Sequence, residues 1–250
     1  MRGGQQLIPR PADARVGEPA PWATLDASER AVTIDDVRRA FAGRVGEPSG
    51  VEGHEQVRAS GVLACLWEHD GAVEVLLTRR AMGLRAHSGE VSFPGGRREP
   101  GEELVEAALR EAHEEVGLDP SSVEILGELD HLMTVTSRSF IVPVVGLLDG
   151  RPEGLVPNPG EVDEVRFVPL DELLRDDVFR EERWRFAVPP PWVTPEEMEF
   201  ARRARPDDGG VERPIFFFEL VGDTVWGATA AMLRQLLGLV VGIPLGIDHA

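Results

Sequence analysis

Residues 96–118 read GRREPGEELVEAALREAHEEVGL, and this stretch decides the fold. From Glu102 to Val116 it has no Pro or Gly, is rich in Ala, Leu and Glu, and follows the turn pair Pro100-Gly101. That pattern predicts a helix over 102–116 which Gly117 stops. At about 100° per residue, Leu104, Val105, Ala108, Leu109, Ala112 and Val116 cover one arc, the expected buried stripe. Glu111, Glu114 and Glu115 share a neighbouring arc at the border of that stripe. Arg110 follows Glu106 by one turn, so an i,i+4 support on the outer side is its simplest role, and His113 projects away from the glutamates toward solvent.

Three carboxylates so placed repel one another. At ~5 Å and an effective dielectric of ~20, each like-charged pair costs about 3 kcal/mol. Either their protonation shifts upward or a cation sits among them, and the cation is the favoured reading. Hard oxygen ligands on one helix face suit Mg²⁺ or Mn²⁺ better than Zn²⁺. The alternative is a solvated acidic face, which most Glu-rich helix faces are. Against it, Glu111 and Glu115 flank the apolar stripe instead of lying opposite it, and the turn Pro94-Gly95-Gly96 just upstream permits close backbone approach. Upstream again, Arg79, Arg80, Arg85 and His87 form a cationic island in a chain of net charge −18. Guanidinium groups grip phosphate oxygens in pairs, so the island suits an anionic substrate, the alternative being surface arginines paired with local glutamates.

At Gly96, Glu102, Arg110, Glu111, Glu114, Glu115, Gly117 and Leu118 the stretch resembles the signature of the Nudix hydrolases, which cleave a nucleoside diphosphate linked to another moiety. Only Ala112 is smaller than the aliphatic residue most members carry. The resemblance implies an α/β fold, a three-layer α/β/α sandwich with a mixed sheet, in which the signature forms a loop–helix–loop. It also implies that Glu111, Glu114 and Glu115 are the catalytic, metal-binding acids for Mg²⁺ or Mn²⁺, with the Gly96 carbonyl as a further ligand. For the general base, Glu111, Glu161 and Glu164 stand as candidates, the last two from the acidic loop PGEVDE.

Residues 76–96, LLTRRAMGLRAHSGEVSFPGG, resemble the element that distinguishes coenzyme A pyrophosphatases within the family, although Ala81 stands where members usually carry Ser. EVDEVRFVPLDELL at 161–174 and VWGATAAML at 225–233 resemble the same subfamily. The implied substrate is a small CoA-like nucleotide diphosphate, bound by Arg79, Arg80, Arg85 and His87 and split into 3′,5′-ADP and 4′-phosphopantetheine or its acyl form. A Nudix enzyme acting on ADP-ribose, NADH or another nucleotide is the first alternative, and a catalytically silent nucleotide-sensing module the second. Trp184, Phe186 or Trp192 are candidates to line a slot for a pantetheine-like arm, beside the plainer reading as core or loop packing.

A chain of 250 residues with 42% hydrophobic content holds one generous domain. Residues 1–33 read as a flexible extension, 34–240 as the Nudix domain, and 241–250 as a tail. Thr33 is expected to cap a short helix, IDDVRRAF. Strands are expected near 60–68, 73–79, 122–132, 140–147, 163–168 and 214–220, and further helices at 170–176 and 225–237. Apolar runs are too short to span a bilayer and no secretory leader is visible, so no membrane partner is expected. Lone Cys65, in the apolar run VLACLW, reads as a core residue, and the cytoplasm as the compartment. The acidic balance argues against nucleic acid polymers. The sequence has no lysine or tyrosine, and it leaves room for a homodimer.

Overall fold

The computed structural model describes residues 2–4, 6–47, 58–84, 87–134, 139–186 and 211–246. In chain order the elements are β1 (Arg15–Val16), α1 (Ile34–Phe41), β2 (Arg58–His69), β3 (Ala72–Arg80), β4 (Val91–Ser92), β5 (Gly95–Arg97), α2 (Leu104–Val116), β6 (Glu124–Glu128), β7 (Leu132–Thr134), β8 (Ser139–Leu147), β9 (Val162–Pro169), α3 (Leu170–Leu173), β10 (Phe179–Phe186), β11 (Val211–Glu219), β12 (Thr224–Trp226) and α4 (Gly227–Val240).

The centre is the hairpin of β2 and β3, turned by Asp70-Gly71 with both residues at positive φ, 50° and 80°. β8 pairs parallel to β2, while β9 and β4 pair antiparallel to β3 and β6 and β7 to β8, so the larger sheet is mixed. Strand alternation divides its side chains between two layers. Leu63, Cys65, Trp67 and Leu76 face Ala108, Ala112 and Val116 of α2. Ala64, Leu66, Val75 and Leu77 face the opposite core, shared with Val37 and Phe41 of α1 and Leu233, Leu236 and Leu237 of α4. The expected α/β/α sandwich results. Thr33 caps α1 as expected, its side chain accepting from the Asp36 amide.

Beside the sandwich lies a smaller sheet in the order β1-β10-β11-β12. Its strand β10 falls where no strand was expected, because FREERWRF places Glu181 and Glu182 inside. Those charges are tolerated because each is paired: Glu182 with Arg10 at 2.8 Å, with Arg180 and with the Trp184 indole, and Glu181 with Arg183 at 2.7 Å. Trp184 is buried against Ile215 and Phe217, which makes it core and not the wall of a slot. Trp192 lies outside the described residues, as does Arg85.

The described residues of the 1–33 segment are not the flexible extension that its composition predicts. β1 pairs with β10, Trp22 is fully buried between Phe179 and Phe218, and the Gly3 amide donates to the Leu220 carbonyl at 2.7 Å. Few large apolar residues are needed when one of them is a tryptophan that closes the main core. The expected helix at 170–176 shortens to Leu170–Leu173, and the expected strand at 122–132 breaks around Asp130. Asp130 is instead tied to Arg44, to the Glu47 amide at 3.1 Å and to Gln235 of α4. Tail residues 241–246 fold back on α4, where the Gln235 side chain donates to the Leu245 carbonyl at 3.0 Å. Among the described residues no helix is long and apolar enough to cross a membrane.

Candidate active site

Helix α2 begins with a capping box, the Glu103 amide donating to Glu106 at 2.9 Å, and ends at Gly117 with φ +73°. Glu106 is therefore committed to the cap, and Arg110 does not pair with it. Arg110 instead donates to Glu102 at 2.8 Å, to Glu111 at 2.9 Å, to Glu114 at 3.1 Å and to the Arg97 carbonyl at 2.9 Å. It fastens the loop before the helix to two of the helix acids. His113 is exposed and turned to the Leu118 carbonyl at 3.0 Å, away from the acids as expected.

Small residues seat the helix. A Cβ on Gly61 of β2 would stand 2.1 Å from the Leu104 carbonyl oxygen, so α2 rests directly on the strand backbone. Ala107, Ala108 and Ala112 fill the contact, while Leu104, Val105 and Leu109 are only half-buried. This close seat carries Glu115 beneath the surface, 3% exposed.

Glu115 accepts from the Gly95 amide at 3.3 Å and faces an Arg80 guanidinium nitrogen at 3.6 Å. Burial pushes its carboxyl up to about 7, against the pull of Arg80 and the Gly95 amide, and the charges of Glu111 and Glu161 add to the rise. Glu111 is also raised, by burial first, with Arg110 opposing and Glu114 and Glu161 adding. Its carboxylate occupies the space a Cβ on Gly96 would need, at 2.4 Å. Glu114 behaves differently: its side chain is 53% exposed and tied to Arg110. The three signature acids are thus not gathered into one cluster, and no group of three acids, histidines or cysteines among the described residues forms a ready cation cage. The third carboxylate that bears on Glu111 and Glu115 is Glu161.

Glu161 is held by backbone bonds. The Ala81 amide donates to its carbonyl at 2.8 Å, its amide donates to the Asn158 carbonyl at 2.9 Å, and the Asn158 amide donates to the Glu115 carbonyl at 2.8 Å. Glu164 lies elsewhere, against Arg79 at 2.7 Å and Arg166 at 3.5 Å. The β2–β5 ladder also revises the backbone ligand. The Leu63 amide donates to the Pro94 carbonyl and the Arg98 amide to the Ala59 carbonyl. Alternation along an antiparallel pair therefore turns Gly96, opposite Gly61, toward β2, and Gly95 toward α2. Gly95 offers its polar backbone to the pocket, and Gly96 offers the absence of a side chain.

The expected cationic island is divided. Adjacent residues on a strand point to opposite faces, so Arg80 reaches Glu115 while Arg79 faces Asp163, Glu164 and Asp223. His87, at φ 55°, is turned to Glu90 at 2.9 Å, a bond that raises its imidazole above the ordinary value despite burial and the Arg80 charge. What remains at the pocket is an excess of carboxylate. The charge of Glu161 bears on Glu111 and Glu115 and that of Glu111 on Glu115, with Arg80 offsetting part of it at Glu115; carboxylate oxygens are hard donors of the type a divalent cation takes.

The NUDIX domain profile matches residues 57–188. Nudix hydrolase 3 of Caenorhabditis elegans is 36% identical over 189 residues, 73% of each chain. Nudix hydrolase 22, chloroplastic, of Arabidopsis thaliana is 32% identical over 250 residues, 97% of this chain and 75% of the relative. The peroxisomal coenzyme A diphosphatase NUDT7 of Mus musculus is 41% identical over 119 residues, 47% of this chain and 50% of the relative. The chain belongs to the Nudix hydrolase family. It is a pyrophosphatase of nucleoside diphosphate-linked substrates, a family chemistry that generally uses divalent cations.

Proposed function

We propose that this enzyme hydrolyses coenzyme A or an acyl-CoA to 3′,5′-ADP and 4′-phosphopantetheine or its acyl form, with Mg²⁺ or Mn²⁺. One observation carries the reading. The stretch 76–96 that resembles the CoA pyrophosphatase element has residues from both its ends at the acids: Arg80 and Gly95 lie at Glu115, and Gly96 lies under Glu111. The similarity to a relative named as a coenzyme A diphosphatase supports it.

In this reading Glu111 and Glu115, with the Gly95 carbonyl, hold the cation, while Glu114 stays at the rim under Arg110. A bound divalent ion supplies Lewis-acid polarisation of the diphosphate and acidifies water. Glu161, whose charge bears on both of these acids, accepts the proton of the attacking water, with Glu111 as the other candidate base. Arg80 offsets negative charge on the phosphoryl oxygens, and His87 and Arg85, which follow it in sequence, are the further substrate contacts of this reading. A reducing compartment such as the cytoplasm suits the single buried Cys65.

The test is product analysis. Purified protein with Mg²⁺ is offered CoA, acetyl-CoA, ADP-ribose and NADH in ¹⁸O-water, and products are identified by mass spectrometry. Preferential release of 3′,5′-ADP from the CoA substrates is expected. Faster turnover of ADP-ribose or NADH would overturn the substrate assignment.

A further inference from the structure

The arginine that the pleat turns away from the pocket sits at a junction. Arg79 donates to Asp163 at 2.8 Å and faces Glu164 at 2.7 Å and Asp223 at 3.2 Å. Asp223, in the turn between β11 and β12, has a side chain only 2% exposed and also accepts from Gln6 at 2.8 Å. Arg166 of β9 faces the same carboxylate at 2.8 Å and donates to the Val221 carbonyl at 3.2 Å. Four segments far apart in sequence therefore meet at one buried acid: the N-terminal segment, β3, β9 and the β11–β12 turn.

An ion cluster around a buried acid is weak support for stability, since apolar replacements often fold as well. Its place points to another role. Asp163 and Glu164 follow Glu161 by two and three residues, and here β9 slips out of register with β3 between Arg79 and Arg80. The ladder resumes beyond the slip, with Arg80 opposite Val162 and the Ala81 amide on the Glu161 carbonyl, and Asp163 is the extra residue that it skips; the bonds of Arg79 hold that residue instead. We propose that Arg79 and Asp223 are positioning residues, which fix the start of β9 and so aim Glu161 at Glu111 and Glu115, and that Arg79 does not touch the substrate. This rests on the reading of Glu161 as a member of the catalytic pocket.

The test is a double-mutant cycle on the full chain, with Arg79→Gln, Glu161→Gln and the double variant assayed for kcat and KM at saturating Mg²⁺. Arg79→Gln is expected to lower kcat about 10- to 100-fold with KM changed less than about twofold, the signature of misplacement without lost binding. Arg79→Lys should recover part of that loss. Because both changes act through one carboxylate, the double variant should be within about twofold of Glu161→Gln alone. Should Arg79→Gln fail to fold, Asp163→Asn, which leaves Arg79 and Asp223 paired, takes its place with the same expected pattern. A raised KM at unchanged kcat would show that Arg79 contacts substrate and overturn the inference. A multiplicative loss in the double variant, with Glu161→Gln itself impaired, would overturn it while leaving Glu161 in the site. Wild-type kcat in Glu161→Gln would remove Glu161 from the pocket and the inference with it.

Discussion

Replacing Glu115 by Gln should stabilise the metal-free protein at high pH while abolishing most of its turnover. The ionised carboxylate is disfavoured in the fold by burial, then by Glu111 and Glu161, so its titration moves from 4.5 to about 7. A shift of that size corresponds to about 3 kcal/mol. The sign follows from the protons bound. Between pH 4.5 and 7 the folded chain holds a proton at Glu115 that the unfolded chain has released, so stability falls across that window and stays low above it. Glutamine carries no such dependence. For a chain of 250 residues, about 3 kcal/mol is worth about 6–12 °C in Tm. Scanning calorimetry in EDTA at pH 4.5 and pH 8 should therefore show Glu115→Gln gaining on wild type by about that amount between the two conditions. Any pH-independent cost of burying the amide cancels in the comparison. Adding Mg²⁺ at pH 8 should raise the Tm of wild type and leave the variant nearly unmoved, because a cation at Glu115 relieves the same penalty. An equal Tm difference at both pH values, or an equal Mg²⁺ response in both proteins, would refute the argument from burial.

Gly61→Ala forces a methyl to 2.1 Å from the Leu104 carbonyl, so it should cost about 1–3 kcal/mol in urea unfolding and lower kcat as α2 lifts; an unchanged midpoint would deny the close seat of the helix. Trp22→Ala should cost about 3–5 kcal/mol, because this residue is fully buried, and a cost near zero would mean that the N-terminal segment is not part of the core. Arg110→Ala should lower kcat about tenfold or more by freeing Glu102 and Glu111 together, with a Tm loss of only about 2–4 °C for a partly exposed ion network; wild-type kcat would make the network incidental. Cys65, its thiol pushed up to about 12 by burial, should resist iodoacetamide at pH 8 in the native protein and react in guanidinium, and rapid native labelling would contradict its place in the core.

Much of this architecture is legible in local pattern. The helix over 104–116, the central hairpin and the long C-terminal helix all follow from periodicities of 3.6 and 2 with glycine punctuation, which neighbouring residues enforce among themselves. So does the capped α1, whose box is closed by Thr33 and Asp36 alone. Local pattern failed where charge was paired at long range. β10 hides Glu181 and Glu182 behind arginines, one of them Arg10 more than 170 residues away, and no periodicity rule marks such a strand.

Sequence alone determined that an acidic helix follows a glycine turn, and that Glu111 and Glu115 border its apolar stripe. Only the tertiary structure decided which acids meet. The glycine floor at Gly61 buries Glu115, Arg110 holds Glu114 at the rim, and the β9 start brings in Glu161 from outside the helix. The same holds for the arginines: Arg79 and Arg80 are neighbours in sequence, yet the pleat sends one to a buried aspartate and the other to the pocket. The physical reason is that helix and strand propensities act over a few residues, whereas the desolvation that sets a carboxylate's proton affinity depends on every segment packed around it.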